Sequence, residues 1–281
     1  MKKRLICFVT VLGAVALLLA GTLLWSHWEN HSPQVTRMEL SFRDLPEAFS
    51  GLRVAQISDL HNSDLGQDVL IELLREESPD LIAITGDMID SRRTDVAKAL
   101  TFARQAVTVA PCYYVTGNHE SRAPLAFARL EQGLAELGVT VLRDERLSLE
   151  REGEIIHLLG LEDPAFLPGA EPSDRLSRLT AGLEEEAFTL LLSHRPELAE
   201  SYAEAGLDLS LTGHVHGGQI RFPGFGAIYG PNQGLFPKYF QGVYRVENHQ
   251  MVVSRGIGNS LFQVRLNCRP EVIVIELTKE A

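Results

Sequence analysis

The stretch LSLTGHVHGGQIRFP, residues 209–223, joins an apolar run to a glycine-rich turn that contains two histidines. Gly213 ends the apolar run, and His214 and His216 follow it with one residue between them. Residues two apart in an extended chain point to the same side, so both imidazoles can reach one target. The stretch therefore predicts a buried strand that ends at a binding site.

Four other apolar runs end with the same kind of residue. Asp, Asn or His follows each candidate strand, directly or after one glycine, in AQISDLH, AITGDMID, YVTGNHE and LLSHRPE. Ligands of open α/β sheets bind outside the carboxyl ends of the strands, so the five ends are predicted to share one site. A single Asp or His at a strand end is more often a helix cap or a hydrogen-bonded structural residue. Here, however, coincidence does not explain that five of the nine histidines lie in these endings: His61, His119, His194, His214 and His216.

The side chains in these endings indicate which ligand the site binds. Imidazole and carboxylate groups without thiolates suit Mn²⁺, Fe or Zn²⁺, whereas Ca²⁺ prefers oxygen ligands alone. A carboxylate such as Asp87 can bridge two ions about 3.5–4 Å apart, as in two-metal hydrolytic sites. A glycine, which permits a tight turn, directly precedes three of the candidate ligands: Asp87, Asn118 and His214. The pattern predicts two adjacent metal ions.

Strand and helix candidates alternate along the chain. Helices are predicted over residues 67–77, 94–109 and 124–137 and near residues 195–206. From Ile220 onward, GVYRV, QMVVS and EVIVIEL are typical of strands separated by Gly/Pro-rich turns. Alternation followed by a β-rich tail predicts one α/β domain with mixed sheets over residues 34–281.

The endings also form five motifs in a recognisable order. They are D-x-H (Asp59, His61), G-D-x-x-D (Asp87, Asp90), G-N-H-E (Asn118, His119, Glu120), a separate His194 and G-H-x-H (His214, His216). Together they resemble the calcineurin-like metallophosphoesterases and span about residues 52–218. The segments ISDLH, HGGQIRFP and PNQGLFPKY are similar to a membrane-anchored bacterial subgroup related to UDP-diacylglucosamine hydrolases.

This resemblance implies a fold and a metal centre. The fold is a four-layer αββα sandwich of two mixed β-sheets flanked by helices. The centre holds two divalent metal ions, Mn²⁺, Zn²⁺ or Fe, and the ester is hydrolysed by in-line attack of a hydroxide that both ions share. One ion is expected to be held by Asp59, His61, Asp87 and His216, and the other by Asp87, Asn118, His194 and His214.

The resemblance also implies roles for residues beside the ligands. His119 is expected to be a catalytic histidine that is not a ligand and that, when protonated, donates to the leaving oxygen. Asp90 and Glu120 are either groups that orient the ligands or ordinary carboxylates at helix starts.

The N-terminus has the composition of a membrane anchor. Residues 1–4 read MKKR, and residues 5–25 form an uncharged, mostly apolar run that spans roughly 30 Å as a helix, the thickness of a bilayer core. A cleaved signal peptide is the alternative, but the run is longer than the usual apolar region of one and no convincing cleavage site follows Ala20. We therefore predict an uncleaved single-pass anchor followed by a linker at residues 26–33. Because basic residues stay in the cytoplasm, the domain is predicted to be extracytoplasmic at the cell membrane.

The net charge of the chain and its predicted membrane topology limit the classes of substrate that we expect. The formal net charge of −11 argues against a protein that holds nucleic acid by its phosphates. The expected partner is a phosphate ester, preferably a phosphodiester or pyrophosphate of the cell envelope, since a cytoplasmic nucleotide lipid would lie on the other side of the membrane. A phosphomonoesterase or phosphoprotein phosphatase with the same metals is the alternative. A non-catalytic binding scaffold is disfavoured because the ligand set is complete.

The glycine-, proline- and aromatic-rich tract FPGFGAIYGPNQGLFPKYFQGVY, residues 222–244, directly follows the G-H-x-H turn. It is either a packed, irregular loop or an apolar rim beside the metals that suits a lipid-linked substrate. Arg221, Lys238 and Arg255 are candidates for contacts with the phosphate.

Overall fold

Two six-stranded β-sheets lie face to face at the centre of the computed structural model, which describes residues 2–63, 65–260 and 262–280. In chain order the strands are β1 (Gln34–Phe42), β2 (Leu52–Ile57), β3 (Leu81–Thr85), β4 (Cys112–Val115), β5 (Thr140–Val141), β6 (Glu145–Arg151), β7 (Glu154–Gly160), β8 (Thr189–Leu192), β9 (Leu209–Thr212), β10 (Arg221–Phe222), β11 (Gly226–Ala227), β12 (Tyr229–Gly230), β13 (Gly234–Leu235), β14 (Gly242–Val246), β15 (His249–Val253) and β16 (Glu271–Lys279). The α-helices are α1 (Lys2–Asn30), α2 (Gln67–Glu77), α3 (Val96–Ala106), α4 (Asn118–Arg122), α5 (Pro124–Glu136), α6 (Pro172–Thr180) and α7 (Ala199–Glu204). Each apolar run predicted as a strand forms one.

Both large sheets are mixed. The first has the order β1-β16-β2-β3-β4-β5, and the second has the order β14-β15-β9-β8-β7-β6. Within the first sheet β2, β3 and β4 are parallel, and within the second β7, β8 and β9 are parallel. Parallel neighbours end at the same edge of a sheet, so the strand ends that carry the motifs are collected there.

The fold has four layers, two of helices and two of strands, and three hydrophobic clusters lie between them. The inner cluster lies between the sheets and includes Val54 and Leu81 from the first sheet and Leu192 and Leu211 from the second. A second cluster packs α2, α3 and α5 on the outer face of the first sheet. A third packs α6 and α7 on the outer face of the second sheet. The predicted αββα sandwich is therefore confirmed.

The helices agree with the sequence pattern except at some ends. α2 has the predicted bounds, whereas α3 begins two residues later than predicted because the Asp95 side chain caps it by accepting a hydrogen bond from the Lys98 N–H at 3.2 Å. The segment after His194 is not one continuous helix. It forms a 3₁₀ turn at Pro196–Leu198 followed by the short α7.

The first helix, α1, has the length and apolar composition to cross a membrane once. It continues through Asn30, so most of the segment predicted as a linker is helical. Ser26 and Glu29 are buried at its end, where they accept hydrogen bonds from backbone N–H groups of the domain. The C-terminal end of α1 therefore packs against the domain.

The tract at residues 222–244 is irregular and contains the small antiparallel pairs β10–β11 and β12–β13. Three of its aromatic side chains, those of Phe222, Phe225 and Phe236, are 53%, 78% and 67% exposed, whereas Tyr239 is buried in the cluster on the outer face of the second sheet. This exposure favours the apolar-rim interpretation over the packed-loop interpretation.

Candidate metal centre

The five predicted strand ends meet where the two sheets adjoin. Gln56, at the end of β2, donates hydrogen bonds from Nε2 to Thr85 Oγ1 in the first sheet (3.0 Å) and to the Thr212 carbonyl in the second (2.8 Å). The loops that follow bring together buried groups of side chains that could each hold a metal ion. The first group is Asp59, His61 and His216, and the second is Asp87, His194 and His214. A third group, His61, Asp90 and His119, shares His61 with the first.

In the first group the imidazole nitrogens face one carboxylate. Asp59 Oδ1 lies 3.4 Å from His216 Nε2 and 3.7 Å from His61 Nε2. The two Nε2 atoms are 3.2 Å apart. Three buried atoms that can all donate a lone pair thus converge on one point, as metal ligands do.

Asp87 connects the first two groups. Its Oδ2 atom lies 3.5 Å from His61 Nε2 in the first group and 3.2 Å from His194 Nε2 in the second. Its Oδ1 atom accepts a hydrogen bond from the His119 N–H at 2.8 Å. One carboxylate oxygen is therefore placed to serve both metal positions.

The Asn118 side chain lies beside the second group. One end of its amide lies 2.8 Å from His214 Nδ1, and the other lies 3.0 Å from Arg122 Nη1. The structure thus brings together all seven predicted ligands, each of them buried: Asp59, His61, Asp87, Asn118, His194, His214 and His216.

Two of the histidines are held in the form that binds metal. His194 donates from Nδ1 to the Thr85 carbonyl (2.8 Å), and His216 donates from Nδ1 to the Gly258 carbonyl (3.2 Å). When neutral, each ring then keeps its Nε2 lone pair free and directed at the centre. His194 Nε2 is buried without a hydrogen-bond partner. Such an orphaned acceptor fits a metal ligand.

The charges of the centre also fit a bound cation. Although burial acts to raise it, the neighbouring His194 holds the pKa of Asp87 well below its usual range. Burial likewise acts to lower the pKa of His194, but the Asp87 carboxylate raises it to about 10. The Asp87 carboxylate therefore draws positive charge into a buried site. Without a metal a proton on His194 supplies that charge, and a bound divalent ion would take its place.

The local backbone is shaped around these ligands. Asp59, Asp87 and His216 have φ angles of 52°, 51° and 51°, in the left-handed region that side chains other than glycine rarely adopt. Such conformations cost of order 1–3 kcal/mol each and cluster at functional sites. A Cβ atom at Gly117 would overlap Asp87 Oδ1, and one at Gly213 would overlap Asp59 Oδ2. These glycines allow the ligand carboxylates to approach the neighbouring loops.

His119 lies at the edge of the centre, with its ring 4.5 Å from that of His61. The Ser91 N–H donates to its Nδ1 at 3.0 Å, and Ser260 Oγ lies 3.2 Å from its Nε2. Burial lowers the pKa of His119 to about 4. The neutral ring carries its hydrogen on Nε2 and can donate a hydrogen bond to Ser260 or to a ligand in the neighbouring cavity, whereas only the protonated ring is acidic enough to transfer a proton.

The two carboxylates beside the ligands hold the loops of the site. Glu120 accepts hydrogen bonds from the N–H groups of Asp87 (3.0 Å) and Gly117 (2.8 Å), and so joins the turns after β3 and β4. Asp90 Oδ1 accepts from the Arg92 N–H at 2.8 Å, while its Oδ2 lies 3.6 Å from His61 Nδ1. Both carboxylates thus contact the backbone or the ring of a candidate ligand.

A buried ion pair beside His214 was not predicted from the sequence. Arg195 donates from Nη2 to Asp163 Oδ1 at 2.9 Å, and its Nη1 lies 2.9 Å from His214 Nε2. Burial, followed by the charge of Arg195, holds the pKa of His214 well below its usual value. The ring is therefore neutral, as a ligand must be. Arg195 follows His194 in the chain, but no local pattern indicates Asp163 as its partner.

The three basic residues predicted to contact phosphate are engaged elsewhere. Arg255 pairs with Glu271 at 2.7 Å, Lys238 pairs with Glu200 at 2.8 Å, and Arg221 donates to the Asn267 carbonyl. Their partners lie far from them in the sequence, so their engagement could not be predicted from the chain alone. Arg92 and Arg122 line the cavity beside the centre instead.

This cavity has a volume of about 390 Å³ and is lined by both polar and apolar side chains. The polar ones include Asp87, Asn118, His119 and the two arginines. The apolar ones are Ile220, Ile228, Tyr229, Phe262 and Val264. The cavity can therefore hold a phosphate group at the candidate ligands and an apolar substituent against the apolar side chains.

Comparisons with known proteins agree with this geometry. A model of the calcineurin-like phosphoesterase family matches residues 52–218. The chain is 30% identical over 259 residues to the uncharacterized metallophosphoesterase YkuE of Bacillus subtilis, covering 89% of this chain and 87% of that protein. It is 29% identical to the phosphodiesterase YaeI of Escherichia coli, covering 80% of this chain and 82% of that protein. Thermus thermophilus sulfate thiohydrolase SoxB superposes with a TM-score of 0.53 at 15% identity, covering 83% of this chain and 57% of that chain, which shows a shared fold.

Proposed function

This chain belongs to the calcineurin-like phosphoesterase family, and we propose that it is a membrane-anchored phosphodiesterase with a dinuclear metal centre. The observation that carries the proposal is the placement of Asp87. Its Oδ2 atom faces ligands of both groups, beside a cavity that is lined by polar and apolar side chains. This arrangement suits one phosphate group placed next to two cations, with an organic substituent beyond it.

Metal-dependent hydrolysis of a phosphoester is the chemistry that these residues serve. One ion would be held by Asp59, His61, Asp87 and His216, and the other by Asp87, Asn118, His194 and His214. Two divalent ions, Mn²⁺, Zn²⁺ or Fe, would lower the pKa of water at the site and offset negative charge on the phosphoryl oxygens.

The remaining side chains bind the substrate and move a proton. Arg92 and Arg122 line the cavity, where their charges attract the phosphate. His119 lines the same cavity, and we assign to its protonated form donation of a proton to the leaving oxygen, which leaves the ring neutral. The side chains of Ile228 and Phe262 line the same cavity and give an organic substituent an apolar surface to contact.

Three features favour a diester with a lipid or other apolar part. A diester carries a second substituent, for which the apolar side chains of the cavity provide a surface. Exposed aromatic side chains surround the cavity opening, including Phe262 at 61% and Tyr229 at 58% exposure. The end of α1 lies nearby, because Asn30 donates to the Gln263 carbonyl at 2.9 Å. A substrate in the membrane could therefore approach the centre along an apolar path.

The purified protein is expected to hydrolyse bis-p-nitrophenyl phosphate faster than p-nitrophenyl phosphate. The apolar side chains of the cavity contact the second aryl group of the diester, which the monoester lacks. We would remove metals with a chelator, restore Mn²⁺, Zn²⁺, Fe²⁺ or Mg²⁺ one at a time, and measure kcat/KM on both esters. Faster turnover of the monoester with every metal would favour the phosphomonoesterase alternative.

The domain is expected to lie outside the cytoplasm. Lys2, Lys3 and Arg4 precede the apolar part of α1, and basic residues at the end of a membrane helix remain on the cytoplasmic side. A protease added to intact spheroplasts should digest the domain while a cytoplasmic marker protein remains whole. Protection until the membrane is opened would reverse the orientation and restore cytoplasmic nucleotide lipids as candidate substrates.

A further inference from the structure

We propose that Glu29, with Ser26, at the end of the membrane helix positions the half of the metal centre formed by Asp59, His61 and His216. The inference rests on the dinuclear centre proposed above and adds residues outside the five motifs. Its basis is a continuous series of hydrogen bonds from α1 to the imidazole of His216.

The first contacts join α1 to the segment before β16. The Glu29 carboxylate accepts from the Cys268 N–H at 3.0 Å, and Ser26 Oγ accepts from the Arg265 N–H at 3.1 Å. Glu29 also accepts from Trp25 Nε1 at 2.9 Å, which holds its side chain against the helix. Glu29 and Ser26 are 4% and 3% exposed, so these hydrogen bonds are shielded from water.

The next contacts reach His216 by two routes. Cys268 donates from Sγ to the His216 carbonyl at 3.2 Å. Arg265, which is completely buried, donates from Nη2 to the Gly258 carbonyl at 2.7 Å. That carbonyl in turn accepts from His216 Nδ1 at 3.2 Å. The backbone and the ring of His216 are thus both connected to residues that α1 contacts.

Close packing lets a displacement of this segment reach the other ligands. The Gly258 N–H donates to the Asp59 carbonyl at 2.7 Å. A Cβ atom at Gly258 would overlap the Leu60 carbonyl, and one at Gly217 would lie 2.7 Å from Cys268 Sγ. Such contacts leave little space in which the segment can move without moving the ligands.

Loss of the Glu29 carboxylate should therefore weaken one metal position more than the other. Groups that orient ligands typically contribute about 10- to 100-fold to metal affinity. We would titrate detergent-solubilised, full-length protein with Mn²⁺ and measure free Mn²⁺ by electron paramagnetic resonance. The Glu29→Ala variant should bind one equivalent like the wild type and the other about 10- to 100-fold more weakly. Glu29→Gln should restore binding, because its amide oxygen can accept from the Cys268 N–H.

Glu77→Ala is the matched control. Glu77 is also a buried glutamate, but it pairs with Arg37 and Arg53 at the end of α2. This variant should unfold at a lower temperature and keep both Mn²⁺ affinities. Unchanged Mn²⁺ affinities in Glu29→Ala, equal weakening of both positions, or no restoration by Glu29→Gln would each overturn the inference. The wild-type titration tests the centre separately, since failure to bind two equivalents would overturn the proposed function and this inference with it.

Discussion

Asp87→Asn should abolish turnover and leave the protein unable to hold two metal ions together. In the wild type, Asp87 Oδ2 faces His61 and His194 at 3.5 Å and 3.2 Å. The amide oxygen of Asn could still accept the hydrogen bond from the His119 N–H. The amide NH₂ would then replace Oδ2, and it can neither ligate a metal nor offset its charge. Loss of several kcal/mol of charge stabilisation corresponds to about 10³-fold or more in rate.

Metal content and kcat on bis-p-nitrophenyl phosphate, measured on the same preparation, would test this expectation. Asp80→Asn provides the control, because Asp80 directly precedes β3, whereas Asp87 lies just beyond its other end. The Asp80 side chain accepts a hydrogen bond from the Arg53 N–H at 2.8 Å, away from the candidate metal ligands. The control variant should keep its metals and its turnover. Two tightly bound equivalents and near-normal rates in Asp87→Asn would show that Asp87 is not a bridge.

His119→Ala should keep its metals but lose about 10²–10⁴-fold in rate on an alkyl phosphodiester. The effect on a p-nitrophenyl diester should be much smaller, because p-nitrophenolate leaves without a proton. His119 lines the cavity and its Nε2 lies 3.2 Å from Ser260 Oγ, so the protonated ring can reach a leaving oxygen there. The ratio of the two rates, with metal content as a second measurement, separates proton donation from metal binding.

Two other histidine variants serve as comparisons for this measurement. His216→Ala should weaken metal binding and reduce the rates on the alkyl and the p-nitrophenyl diester together, because His216 lies in the first group of candidate ligands. His157→Ala should change neither rate, because His157 lies on β7 and contacts Ser148. Equal losses on both substrates in His119→Ala, with metals retained, would limit His119 to stabilising charge. Loss of metal from that variant would make His119 a ligand.

Local sequence patterns were sufficient to predict the strands and to predict that the five motifs lie close together. Runs such as LIAIT and LSLT consist of residues that favour strands, and both are completely buried as β3 and β9. The residues that follow these strands were predicted to lie together because neighbouring parallel strands end at the same edge of a sheet. The residues proposed as ligands therefore follow from composition and position along the chain.

Other features depend on partners that are distant in the chain. Arg255 was a candidate for phosphate contact, but Glu271 on β16 engages it. Arg195 gains its contact with His214 only because Asp163 holds its guanidinium in place. The linker predicted after residue 25 is helical because Ser26 and Glu29 find backbone donors on the segment before β16.

The sequence by itself thus determined the α/β class, the membrane-type helix and the set of side chains gathered at the strand ends. These properties depend on the period of apolar residues and on the residue that follows each run, which are local. Only the tertiary structure decided which oxygen of Asp87 faces both groups of candidate ligands and which arginines line the cavity. It also decided how hydrogen bonds join α1 to the segment beside the centre. Those properties depend on distances between residues far apart in the chain, and such distances are set by the packing of the two sheets and of α1 against them.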